Sequence, residues 1–162
     1  MALPSYAALW FLPFVLPICL WVAWSDMARM KIPNLACGAL VLVFLVVGPI
    51  ALPLGLWGWQ WVHLAVILAA GFVANLAGVM GAGDAKFAAA AAPFVPLPDA
   101  MPVVYLLAAV LLAAFAAHRA ARALPALRNR VPEWESWTRR DFPMGLPLAG
   151  TLLFYLILAA AL

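Results

Sequence analysis

Charge is scarce in this chain. Only 9% of its 162 residues are Asp, Glu, Lys or Arg, whereas 69% are hydrophobic. A water-soluble domain carries about a quarter charged residues, so that class is excluded. Disorder is excluded as well, because it needs low hydrophobicity and high net charge. Cysteine is equally sparse, with Cys19 and Cys37 set inside apolar stretches and no C-x-x-C spacing. That pattern fits neither a disulfide framework nor a zinc knuckle, and both residues read as packing cysteines. The two histidines, His63 and His118, stand at opposite edges of the apolar segments that hold them. No metal site is expected from them, no Ser–His–Asp or Cys–His nucleophile competes, and no cofactor is expected.

What the chain has instead is apolar length. Its hydrophobic residues fall in blocks of roughly 20, enough to cross the ~30 Å hydrocarbon core of a bilayer as helix. The blocks predict an all-α polytopic membrane protein, a bundle of six transmembrane helices over residues 6–24, 35–56, 59–80, 84–97, 101–118 and 144–162. Nothing left over makes a second domain, so residues 1–162 read as one membrane-embedded unit. The fourth span is short and alanine-rich. At about 21 Å it either lies deep among its neighbours or thins the bilayer locally. The first span has no basic region ahead of it and no small-residue cleavage site, which argues against a removable signal peptide.

The few charges give an orientation. Arg29 and Lys31 follow the first span, Lys86 follows the third, and Arg119, Arg122, Arg128, Arg130, Arg139 and Arg140 follow the fifth. All nine basic residues thus fall on one side, and cytoplasmic loops retain Lys and Arg. Both termini are therefore expected outside the cytoplasm. Trp57, Trp59 and Trp61 cluster at an outer connection, in the manner of an interfacial aromatic belt. The basic residues are topology signals first, so the expected partner is the lipid bilayer and not nucleic acid. The oligomeric state is left open. In the long connection 119–141, Val131, Trp134 and Trp137 recur every three residues behind Pro132. They predict a short helix lying on the inner membrane surface, the alternative being an irregular loop folded against the bundle.

Six carboxylates are the candidates for chemistry. Asp99, between prolines on an outer turn, reads as a solvated turn residue, and Glu133, Glu135 and Asp141 belong to the polar loop. Asp26 and Asp84 are different, because each stands where an apolar helix meets the cytoplasmic side. An ionisable group costs about 2.5–3.5 kcal/mol at the bilayer centre and less near its edge. A bundle can bring the end of the first span beside the start of the fourth. Two carboxylates a few ångströms apart do not both ionise readily, so such a pair tends to share one proton. One acid then activates a water while the other polarises a carbonyl. Gly81 and Gly83 immediately precede Asp84, and glycine permits the close approach of another chain. Lys86 reads as an interfacial anchor by snorkelling, and Pro33-Asn34 as the start of the second span.

These residues resemble the type IV prepilin peptidases, membrane aspartic peptidases with a GxGD motif. The first matching motif is an aspartate followed by basic residues and Ile-Pro-Asn, here Asp26 to Asn34 with Ile32, Pro33 and Asn34. The second is Gly-x-Gly-Asp-x-Lys, here Gly81 to Lys86, followed by Phe87. Phe142-Pro143-Met144-Gly145-Leu146-Pro147 is similar to the family's Pro-x-Gly entrance to the last span, with Met144 where a tyrosine is usual. The resemblance implies an enzyme that cuts the leader from pilin-like precursors at the cytoplasmic face, with Asp26 and Asp84 as its catalytic pair. Longer members carry two C-x-x-C pairs in a cytoplasmic segment and also N-methylate the new terminus. This chain has neither, so it resembles the short form found with Flp-type, or tight-adherence, pilus systems. Such a peptidase, expected to lack methyltransferase activity, would sit in a bacterial inner membrane. Archaeal preflagellin peptidases are a similar short relative. Two other readings stay open, a small proton-coupled carrier and a non-catalytic component of pilus assembly.

Overall fold

The computed structural model describes residues 1–162. It is all-helical and holds seven α-helices: α1 (Ser5–Arg29), α2 (Asn34–Ala51), α3 (Leu54–Leu76), α4 (Ala82–Ala91), α5 (Ala100–Ala123), α6 (Pro125–Arg128) and α7 (Gly145–Ala161). Four are long and apolar enough to cross a membrane, namely α1, α2, α3 and α5 with the turn ahead of it. At 17 residues α7 is shorter, and α4 has only 10 before it passes into a 3-10 turn, Ala92–Phe94. These apolar helices make the chain a membrane protein.

Helix boundaries follow local chemistry. Pro33 caps α2, its fixed φ suiting a helix start, and Asn34 is the first helical residue. The first helix runs past the end of its apolar stretch to Arg29, which places Asp26 inside its last turn. Met30 stops it in the left-handed conformation (φ 52°), its N–H donating to the Asp26 carbonyl. Left-handed caps of this kind end many helices. The Ser25 hydroxyl donates to the Lys31 carbonyl at 2.9 Å and pins the turn that follows. Between α3 and α4, Gly78 takes a positive φ of 73° and the Asn75 amide donates to the Met80 carbonyl.

Helix α1 is central and packs along α7 and α2, while α4 lies among α2, α3 and α7. Phe11, Phe44 and Phe94 meet at centroid distances of 4.9–5.9 Å and join α1, α2 and the turn after α4. Close crossings need small residues, and a Cβ on Gly71 of α3 would come within 2.8 Å of the Ala85 Cβ on α4. Two helices stand apart from this core. Within α3 only Gln60 and Gly71 are buried, and within α5 only His118. Their apolar faces are left for lipid.

Two expectations are corrected. No amphipathic helix forms over residues 131–137; Glu135–Trp137 is a single 3-10 turn, and Trp134 before it is extended. The aromatic side chains find partners within the protein. Trp137 stacks on His118 of α5 (centroids 5.4 Å, 11° between planes), Trp134 stacks on Trp137, and the Trp137 indole donates to the Val131 carbonyl. The loop thus folds onto the bundle. The second correction concerns Asp99, which is only 4% exposed. It accepts hydrogen bonds from the backbone N–H groups of Ala2 and Leu3 and, at 2.7 Å, from the Tyr155 hydroxyl of α7. It is a buried clasp between the two ends of the chain.

Candidate active site

Asp26 and Asp84, 58 positions apart in sequence, line one cavity of about 450 Å³ at the basic end of the bundle. Its walls also include Met30, Lys31, Ile32, Asn34, Gly81, Gly83 and Lys86. Each part arrives through a local device. The last turn of α1 supplies Asp26 and the first turn of α4 supplies Asp84, while the left-handed cap at Met30 turns Ile32 back over the gap.

The two sequence motifs touch at several points. A Cβ on Gly83 would lie 3.4 Å from the Ile32 Cβ, so glycine brings α4 into van der Waals range of the turn after α1. Lys86 Nζ donates to Asn34 Oδ1 at 3.1 Å, tying α4 to the start of α2. At Gly81 a Cβ would stand 2.7 Å from Asp84 Oδ2, so a side chain there would displace the carboxylate. Pro33 does not line the cavity; its part is to start α2.

The two acids are held differently. Asp26 is 5% exposed, and Asp84 is half-buried. The Gly145 N–H, at the first residue of α7, donates to Asp26 Oδ2 at 2.6 Å. A Cβ on Gly145 would fall 2.9 Å from the Asp26 Cβ and 3.0 Å from Oδ2. Any larger residue therefore costs either the hydrogen bond or the carboxylate's position. Gly145 is the site residue that composition and periodicity miss. Its one signal is the Pro-x-Gly pattern at the start of the last span, which does not say what the glycine touches.

The loop before α7 closes the remaining side, where Arg139, Asp141, Phe142 and Met144 border the cavity. Arg139 is held at 3.2 Å by Glu135, and its carbonyl accepts from Arg122 at 3.3 Å. Phe142 packs edge-on against His118, in the same aromatic group as Trp137. Asp141 thus reaches the rim of the cavity, although nothing in its sequence context marks it out. No three His, Cys, Asp or Glu side chains gather as a metal-binding group.

A cavity of this size is in the range of clefts that bind ligands. It offers carboxylates, backbone exposed at glycines and flanking cations, a set suited to acid–base work on a polar chain at a membrane edge. These features define a helical membrane protein with two aspartates sharing one polar cleft. The chain belongs to the type IV leader peptidase family, whose family model matches residues 13–117, a stretch that includes both aspartates. Family membership makes it a peptidase of the leader-cutting type. No curated protein and no solved structure matches it.

Proposed function

We propose that the chain is an aspartic endopeptidase of the bacterial cytoplasmic membrane that cuts the leader from a Flp-like prepilin. The observation that carries this reading is the shared cavity of Asp26 and Asp84, with the Gly145 N–H on one oxygen of Asp26. In the proposed reaction the dyad holds one proton between its two acids. The ionised partner takes a proton from water as the water oxygen attacks the scissile carbonyl carbon. The protonated partner gives its proton to the carbonyl oxygen. The tetrahedral adduct then collapses: one of its hydroxyls returns a proton to the acid that gave one, the C–N bond breaks, and the leaving nitrogen takes a proton from the acid that received it, so the dyad ends with one proton as it began. Gly81 and Gly83 present backbone to the substrate beside Asp84, while Lys86, Ile32, Pro33 and Asn34 hold the two motifs together. None of these steps calls for a cofactor.

The proposed membrane arrangement has six spans, with α4 and its 3-10 extension as the fourth and α7 as the last. Both termini lie outside the cytoplasm. The distribution of all nine Lys and Arg residues over the connections after α1, α3 and α5 supports this orientation, and it puts the cavity on the cytoplasmic side. The missing C-x-x-C pairs support a peptidase without methyltransferase activity. The test is the gel shift of a co-expressed Flp-type prepilin. Wild-type chain shortens it; Asp26→Asn and Asp84→Asn each leave it whole while accumulating in the membrane normally. Near-normal processing by either variant refutes the dyad.

A further inference from the structure

A second cavity, about 490 Å³, opens between α3, α4, α5 and α7. Val62 and Val66 of α3 face Val104 and Leu107 of α5 across it, and neither flanking helix buries more than a few of its own residues. Most polar groups on its walls are already engaged, the Trp59 indole N–H and His63 Nε2 excepted. His63 Nδ1 pairs with the Val95 carbonyl at 3.0 Å, Thr151 donates to the Pro147 carbonyl, and Tyr155 donates to Asp99. The walls are otherwise apolar and offer an occupant few hydrogen bonds, so an apolar occupant that satisfies its own backbone fits them best. In a bilayer a peptide meets that demand as a helix.

The floor of the slot is α4. Phe87, Ala88, Ala91 and Ala92 line it, and Ala88 and Ala92 have the four-residue spacing of small side chains that lets membrane helices approach closely. The same helix carries Asp84 and Lys86 in the first cavity, with Phe87 only about 4.5 Å of helical rise beyond Asp84. Helix α7 makes the same connection: Gly145 holds Asp26, and Leu148 and Thr151, further along it, line the slot. Slot and cavity are therefore consecutive along two shared helices.

We infer that this slot receives the apolar membrane helix of the precursor, seating it so that the chain just beyond the helix end reaches Asp26 and Asp84. The inference rests on the peptidase reading and adds where the substrate is held. Specificity then lies in two places, an apolar helix recognised within the bilayer and an extended polar segment recognised at the acids.

The test places a photoreactive benzoylphenylalanine at the position of Val66, Val104 or Leu112 in the full-length chain. Leu112 is the control, because it is exposed on α5 but outside the slot. Each version carries Asp84→Asn to keep a co-expressed, tagged Flp-type prepilin uncut. Irradiated membranes are expected to yield precursor adducts at Val66 and Val104, severalfold above Leu112. Adducts only to lipid or to a second copy of the chain, where the wild type cuts the same precursor, overturn the slot as its docking site. A wild type that leaves the precursor whole overturns the peptidase reading, and the slot's occupant with it.

Discussion

The two ends of the bundle treat buried acids in opposite ways. At one end Asp99, 4% exposed, has both oxygens occupied, by the Ala2 and Leu3 N–H groups and the Tyr155 hydroxyl. At the other end Asp26, 5% exposed, receives a hydrogen bond from Gly145 and otherwise borders open space beside Asp84. Burial alone does not separate a structural acid from one proposed to do chemistry. What separates them is saturation. A carboxylate with its lone pairs filled by fixed donors rigidifies its surroundings, whereas one with capacity left over, next to a second acid and a cavity, can take and give a proton.

The sharpest way to break this comparison is to neutralise each acid in turn. Asp26→Asn or Asp84→Asn is expected to lower prepilin cleavage by about 10²–10⁴-fold, the usual worth of a positioned acid or base. Asp99→Asn should leave cleavage within a small factor of wild type. Initial rates in detergent or liposomes, normalised to folded protein, decide it. Cleavage that survives at Asp26 but fails at Asp99 would reverse the assignment. Next in size is Gly145→Ala. Its added carbon falls 2.9 Å from the Asp26 Cβ, and a displacement of about 1 Å near reacting groups can cost 10²-fold in rate. The loss should appear in kcat more than in KM, with the unfolding temperature close to that of the wild type.

Much of the basic end was legible in the sequence. Pro33 and Asn34 mark the start of α2 because proline's φ suits a first turn, and the helix begins there. The end of α1 was less so. Apolarity stops at Trp24, yet backbone hydrogen bonding continues to Arg29 and carries Asp26 into the helix. Hydropathy measures preference for hydrocarbon and not where a helix stops. The meeting of Asp26 and Asp84 was anticipated, but two other long-range contacts were not legible. Gly145 meets Asp26 across 119 positions of sequence, and Asp99 meets Ala2 across 97. A Pro-Asp context reads as an exposed turn until its partners are known. The spacing of Val131, Trp134 and Trp137 was real but had a different use: the two indoles stack on each other, Trp137 also stacks on His118 of a neighbouring helix, and no helical face forms between them.

The smallest expected effects lie at the Asp99 clasp. Asp99→Ala removes the acceptor from the Tyr155 hydroxyl and from the backbone of Ala2 and Leu3. Leaving buried donors unpaired costs about 1–3 kcal/mol, so the variant should unfold at lower temperature in detergent while still cutting its precursor. Tyr155→Phe removes only one donor and keeps the ring, which is fully buried between α7 and its neighbours. Its cost should be nearer 1 kcal/mol, the net worth of an ordinary hydrogen bond. The combined variant then tests whether the clasp acts as one unit. Without the carboxylate, the tyrosine hydroxyl has no acceptor left to lose, so Tyr155→Phe in the Asp99→Ala background should cost little or even restore stability. A fully additive loss would mean that the hydroxyl has a separate role, and the contrast between a saturated acid and a working one would then need another basis.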